Sequence, residues 1–134
     1  MKAPIKILLI EDDADDIDLL EEALKSNDIS YQLSSIKEGD KVVAYLGSQE
    51  PVPDIIVLDF NLPKLHGREI LSLIKSSGRF ANVPLVVLTT SASKEDIAFA
   101  KTMGANHYIT KPTSINDFNR TVATIVETAY AGGN

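Results

Sequence analysis

The 134-residue chain contains no cysteine. Disulfides, thiolate metal sites and cysteine nucleophiles are thereby excluded, and a reducing compartment such as the cytoplasm is consistent with that. Long hydrophobic runs are missing too: nothing approaches the roughly 20 apolar residues of a membrane-spanning helix. The opening stretch MKAPIKILLIEDD turns acidic too early for a signal peptide. Positive charge is in short supply, with 13 Lys and Arg against 19 Asp and Glu and a formal net charge of -6. Nucleic acid and anionic membrane surfaces both call for a concentrated basic patch, so neither is expected as the main ligand. There is no internal repeat and no low-complexity tract beyond the short tail Ala131-Gly132-Gly133-Asn134. What is present is 44% apolar and 24% charged, the balance of a globular chain. The length suits a single domain over 1–134 with a real core.

Short apolar runs alternate with amphipathic stretches. Residues 6–10, 54–59 and 84–89 are nearly all apolar and bounded by turn residues, the pattern of strands buried on both faces of a parallel sheet. Residues 31–36 and 107–109 are weaker strand candidates. Between the runs, Ile17, Leu20, Ala23 and Leu24 share a helical face, as do Phe118, Val122, Ile125 and Ala129, and more loosely Ile70, Leu71, Leu73 and Ile74. Ser93 with Asp96, and Ser114 with Asp117, have the spacing of N-terminal capping boxes. Gly104-Ala105-Asn106 reads as a helix stop. The last helix is expected to end near Tyr130, and residues 47–53 to form a loop. The order is (βα)5, which predicts a doubly wound, five-stranded parallel sheet with helices on both faces.

In such sheets ligands bind beyond the carboxyl ends of the strands. Glu11, Asp12 and Asp13 follow the first apolar run, and Asp59 and Asn61 the third. Thr89, Thr90 and Ser91 close the fourth, and Thr110, Lys111 and Pro112 the fifth. Carboxylates converging on one rim repel each other and call for a cation or a proton. The donors are hard oxygens, with no cysteine or histidine among them, so Mg²⁺ or Mn²⁺ is favoured over zinc. Thr89 supplies a hydroxyl and Lys111 a positive charge. Together they describe a phosphoryl-transfer site with Asp59 as nucleophile. Each piece alone has a plainer reading: a helix cap for the Glu11-Asp12-Asp13 run, a turn at Asn61-Leu62-Pro63, capping for Thr89 and Thr90, and a loop dipeptide for Lys111-Pro112. Their joint placement at four strand ends favours chemistry.

These residues carry a resemblance to the receiver domain of bacterial response regulators, the phosphoacceptor half of two-component signalling. The matching phrases are LLIEDD at 8–13, DIIVLDFNLPKLHG at 54–67, VVLTTSAS at 86–93 and GANHYITKP at 104–112. The phrases LTTS and FNLPK-x-x-GREIL are most similar to stand-alone receivers paired with bacterial phytochrome kinases. The resemblance implies the flavodoxin-like receiver fold, with Asp59 as phosphoacceptor. Asp12 would bind Mg²⁺ directly and Glu11 through water, with the Asn61 backbone carbonyl a further metal ligand beside Asp59. Thr89 and Lys111 would contact the phosphoryl group, Tyr108 would act with Thr89 as a switch, and Lys111–Pro112 would be a cis peptide. The expected activity is self-catalysed phosphorylation and dephosphorylation of Asp59, not turnover of a separate substrate. The implied partners are a sensor histidine kinase, with a phytochrome as one candidate, and a downstream protein target or phosphotransfer protein. A homodimer is a further option, and no effector domain is expected after the fifth helix. His66, alone in a loop, is expected to be solvated.

Two rival readings differ in class. A haloacid-dehalogenase-type phosphohydrolase also uses an aspartyl nucleophile with Mg²⁺, but Asp59-Phe60-Asn61 lacks the second acid of its Asp-x-Asp motif. An inert pseudo-receiver that only binds partners is opposed by the full set of Glu11, Asp12, Asp59, Thr89 and Lys111.

Overall fold

A computed structural model describes residues 3–48, 51–62 and 65–132. Part of the expected loop (residues 49 and 50), Pro63 of the expected turn, and the last two tail residues lie outside them. Strands β1 (Ile5–Ile10), β2 (Tyr31–Ile36), β3 (Ile55–Leu58), β4 (Leu85–Thr89) and β5 (His107–Thr110) alternate with helices α1 (Ala14–Ser26), α2 (Asp40–Leu46), α3 (Gly67–Ser76), α4 (Lys94–Thr102) and α5 (Ile115–Gly132). All strand pairs are parallel, and the sheet order is β2-β1-β3-β4-β5. Among the described residues no helix is long and apolar enough to cross a membrane.

The apolar runs form strands because helices cover both sheet faces. Ile55, Ile56, Val57 and Leu58 of β3 have no exposed surface. Each such burial contributes roughly 1.5–3 kcal/mol of transfer free energy. The two-residue period then sorts side chains. Ile7, Leu9, Ile55 and Val57 meet Leu20 and Leu24 of α1 and Val122 and Ile125 of α5. Leu8, Ile10, Ile56 and Leu58 meet Val42 of α2, Ile70, Leu71 and Ile74 of α3, and Ala100 of α4. The edge strands are barer: β2 alternates between half-buried and exposed, and His107 and Thr110 at the ends of β5 are exposed.

The expected helical faces are buried as read, except Leu73, which is 37% exposed on the far side of α3. Ser93 caps α4 by accepting the Asp96 N–H at 3.1 Å, and Ser114 accepts the Asp117 N–H at 3.2 Å. Gly104, with φ +88°, ends α4 in the left-handed region that glycine enters freely. Helix α5 runs two residues past the expected end, to Gly132. No periodic pattern announced α2, which has seven residues and a single buried one, Val42.

Candidate functional site

The chain changes direction in the sheet between β1 and β3: β2 lies on one side of β1, and β3, β4 and β5 follow on the other. A crevice at such a switch point is where doubly wound sheets hold ligands. The residues just past the strands remain pinned by the sheet's own hydrogen bonds. The Glu11 N–H donates to Ile36 O at 3.0 Å, the Asp59 N–H to Ile10 O at 3.0 Å, and the Lys111 N–H to Thr89 O at 2.8 Å. Each functional side chain therefore starts from a backbone as fixed as the strand before it, yet stands at the open rim.

The acidic run divides into two uses. Asp13 is the α1 cap, accepting from the Asp15 and Asp16 N–H groups at 2.9 and 3.3 Å. That is the plainer reading, and it holds for this one residue. Glu11, Asp12 and Asp59 converge, each placing a carboxylate oxygen within 4.8 Å of the others. Glu11 and Asp59 are buried and Asp12 is exposed.

The Lys111 ammonium lies among these acids, 2.6 Å from Glu11 Oε1, 2.9 Å from Asp59 Oδ2 and 2.6 Å from Asp16 Oδ2. Burial opposes its charge, but hydrogen bonds to Asp16, Glu11 and Asp59 outweigh burial and raise its pKa. Burial and the neighbouring Asp59 charge push Glu11 up to about 7 against the pull of Lys111. Asp59 goes the other way. Burial again opposes charge, but hydrogen bonds from the Asn61 N–H and Lys111, with the Thr89 hydroxyl nearby, hold its carboxyl below the usual range. Of the two, Asp59 is thus the carboxyl held ionised and Glu11 the one that takes up a proton more readily.

Asn61 donates its N–H to Asp59 Oδ1 at 3.0 Å, and its side-chain amide donates to Thr90 Oγ1 at 2.9 Å. Thr89 is fully buried. Two residues further on, the Ser91 carbonyl accepts the Tyr108 hydroxyl at 2.6 Å, and the Tyr108 ring meets Phe60 edge-on at 5.9 Å. Phe60 also fixes the start of α3. The Gly67 N–H donates to Phe60 O at 3.1 Å, and a Cβ on Gly67 would come within 2.3 Å of Phe60 Cα.

The resemblance implied a cis bond at Lys111–Pro112; the bond is trans, with no cis peptide among the described residues. Trans is intrinsically favoured for such bonds by about 0.5–1 kcal/mol. Both the Lys111 N–H and its ammonium find their partners with that isomer in place.

Sequence reading missed three residues. Asp16 joins the Lys111 cluster. His66 is exposed but not idle, because its Nδ1 accepts the Arg68 N–H at 3.0 Å and caps α3. Asp96, expected only as a capping partner, accepts Arg68 Nε at 2.7 Å and the Ser91 hydroxyl at 2.6 Å. A signal for Asp16 existed: it is the third residue after the Asp13 cap, so it belongs to the helix turn beside the rim.

The donor set suits a hard cation. Mg²⁺ binds oxygens at 2.0–2.1 Å, so two oxygens on one octahedral ion lie about 3–4 Å apart. The three carboxylates place oxygens within 4.8 Å of one another, and the Glu11 pKa is raised first by burial and then by the Asp59 charge, the part that a cation would relieve.

A parallel sheet of this order, carrying a charged aspartate, an acidic pair, a threonine and a lysine at one rim, defines a phosphoacceptor domain. The family model of the response regulator receiver domain matches residues 7–123, and the chain belongs to that family. It is 37% identical to response regulator Rcp1 of Synechocystis over 89% of this chain and 84% of that one. The structure of Rcp1 in its Mn²⁺-bound form matches with a TM-score of 0.81, covering 91% of both chains. The phosphorylated cyanobacterial phytochrome response regulator RcpA matches with a TM-score of 0.86 at 36% identity, covering 96% and 95%. The receiver domain of sensor histidine kinase PA1611 from Pseudomonas aeruginosa, with a magnesium ion in its active-site cleft, matches at 0.73 and 26% identity, covering 93% of this chain and 99% of that one.

Proposed function

We propose that Asp59 accepts a phosphoryl group from a phosphohistidine on a partner sensor kinase, and that the added charge switches a protein-binding surface. One observation carries this: Asp59 is buried and held ionised, with the Lys111 ammonium at 2.9 Å and the Asn61 N–H donating to its carboxylate at 3.0 Å. In the transfer an Asp59 carboxylate oxygen forms a bond to phosphorus as the donor's P–N bond breaks. The imidazole nitrogen leaves with the electron pair and takes up a proton.

Glu11, Asp12, Asp59 and the Asn61 carbonyl would hold Mg²⁺, which supplies charge neutralisation for the incoming phosphoryl oxygens. The Asn61 N–H orients the Asp59 carboxylate. Lys111 and Thr89 donate to phosphoryl oxygens, so the domain catalyses its own modification by positioning and electrostatics. Thr89 and Tyr108 then relay the change toward α4 and β5, because Ser91 lies between them on one turn. The similarity to Rcp1 and RcpA supports a phytochrome-type kinase as donor. Output passes to a downstream protein or phosphotransfer partner in the cytoplasm.

Intact mass after incubation with Mg²⁺ and a small phosphodonor tests the reading. The wild type gains one phosphoryl group and Asp59→Asn gains none. Labelling of both proteins, or of neither while the fold is intact, overturns it.

A further inference from the structure

An ammonium has three N–H donors. On Lys111 two are donated, to Asp59 at 2.9 Å and Asp16 at 2.6 Å, and the ammonium also forms an ion pair with Glu11 at 2.6 Å. With three carboxylates packed around it, the ammonium turns fully to a phosphoryl oxygen only as one of these partners gives way. The three partners are not equivalent. Glu11 and Asp59 also belong to the carboxylate cluster that fits a metal, whereas Asp16 does not. A cation bound there draws on the charge of Glu11 and Asp59 and leaves Asp16 untouched. Asp16 also sits on a different support. It lies in the first turn of α1, its backbone N–H bonded to the Asp13 cap, and its side chain keeps 27% exposure.

We propose that Asp16 is a positioning residue for Lys111: it keeps the ammonium beside Asp59 when Mg²⁺ takes over the other two carboxylates. Without Asp16, Lys111 has only the metal's own ligands for partners, and it competes with the cation for them. With Asp16, the ammonium stays anchored from the α1 side and turns its freed donors toward the acceptor. The inference rests on the reading of the rim as a metal-assisted phosphoacceptor site, and it adds a residue that the acidic pair, threonine and lysine do not include.

Calorimetric titration with Mg²⁺ tests it, on the wild type, Asp16→Asn, Asp16→Ser and Asp15→Asn. Asp15 removes the same charge from the same helix turn. Both Asp16 variants keep a polar side chain that the first turn of a helix tolerates. Asp16→Asn and Asp16→Ser are expected to weaken Mg²⁺ binding about fivefold, and Asp15→Asn by less than about twofold. On a Lys111→Gln background the Asp16→Asn effect shrinks to that of Asp15→Asn. In Mg²⁺-loaded protein the Lys111 ammonium resonance stays protected from exchange in the wild type and loses that protection in Asp16→Asn. Equal losses from Asp15 and Asp16, or an Asp16 effect undiminished without Lys111, overturn the proposal and leave the phosphoacceptor reading standing. Failure of the wild type to bind Mg²⁺ overturns both.

Discussion

Two clusters of charge flank the turn that follows β4, and they are balanced differently. At the rim, one ammonium faces three carboxylates, with the exposed Asp12 beside them. At the start of α4, one guanidinium meets one carboxylate. Arg68 pairs with Asp96, and the Ser91 hydroxyl fills the second carboxylate oxygen. Burial opposes the Asp96 charge, but its bonds to Ser91 and Arg68 outweigh that and hold the carboxyl below its usual range. Arg68 also lies over the Phe99 ring at 5.8 Å. The second cluster has matched charge and fixes a loop. The first has surplus negative charge, and that surplus is what gives it affinity for a cation. Thr89 belongs to the first and Ser91 to the second, and the Ser91 N–H donates to Thr89 Oγ1 at 3.3 Å, so the two clusters touch.

Replacing Lys111 by Met breaks the comparison most strongly. It leaves buried carboxylates without their cation, and metal-free stability at pH 8 is expected to fall by about 3 kcal/mol in urea melts. Added Mg²⁺ restores much of that by linkage, with a larger gain than in the wild type, whereas a variant of the Arg68 cluster should gain no more than the wild type does.

Proton binding sharpens it next. Glu11 has a folded-state pKa of about 7, raised from 4.5, so the folded protein holds this proton over a range where the unfolded chain has lost it. The stabilisation from Glu11 is full below about pH 4.5 and is lost as pH rises through about 7. Asp59, with its pKa lowered, contributes in the opposite sense, and its stabilisation is lost only at strongly acid pH. Urea melts of metal-free protein from pH 5 to 8 should show the loss, and Glu11→Gln should flatten it. Mg²⁺ affinity should rise over the same interval, with proton release visible by calorimetry in two buffers of different ionisation enthalpy.

Asp96→Asn is expected to cost about 1–2 kcal/mol, because it weakens a charge-assisted bond that is partly exposed on the Arg68 side. Mg²⁺ affinity should stay within about twofold, as for any charge outside the cluster. The smallest effect belongs to Tyr108→Phe. Loss of the bond to Ser91 O should cost about 1 kcal/mol and leave phosphoryl labelling of Asp59 intact. Loss of labelling there would mean that the two clusters are one.

The fold and most of the rim were legible because they obey local rules. Glu11, Asp59 and Lys111 each stand one residue beyond a strand, and strand ends in a parallel sheet share a side. The stripe of Ile17, Leu20, Ala23 and Leu24 marked α1 by period alone. What escaped depends on contacts across the chain. Asp15, Asp16 and Asp18 look alike in sequence, and only the reach of the Lys111 side chain from beyond β5 to the first turn of α1 singles out Asp16. Arg68 and Asp96 are 28 residues apart. Helix α2 spans two turns, too few for a period to register. The isomer at Pro112 turns on an intrinsic difference of about 0.5–1 kcal/mol, the size of a single hydrogen bond.

The hold of Lys111 on Glu11 also bears on the order of synthesis. Small domains that depend on a metal to neutralise their ligands fold only as the metal arrives. In this domain the neutralising charge is encoded in the chain, so folding need not wait on Mg²⁺. It comes late, however: the ammonium partner of Glu11 is made 100 residues after it, at position 111. The first strand's acidic end is settled only when the last strand docks.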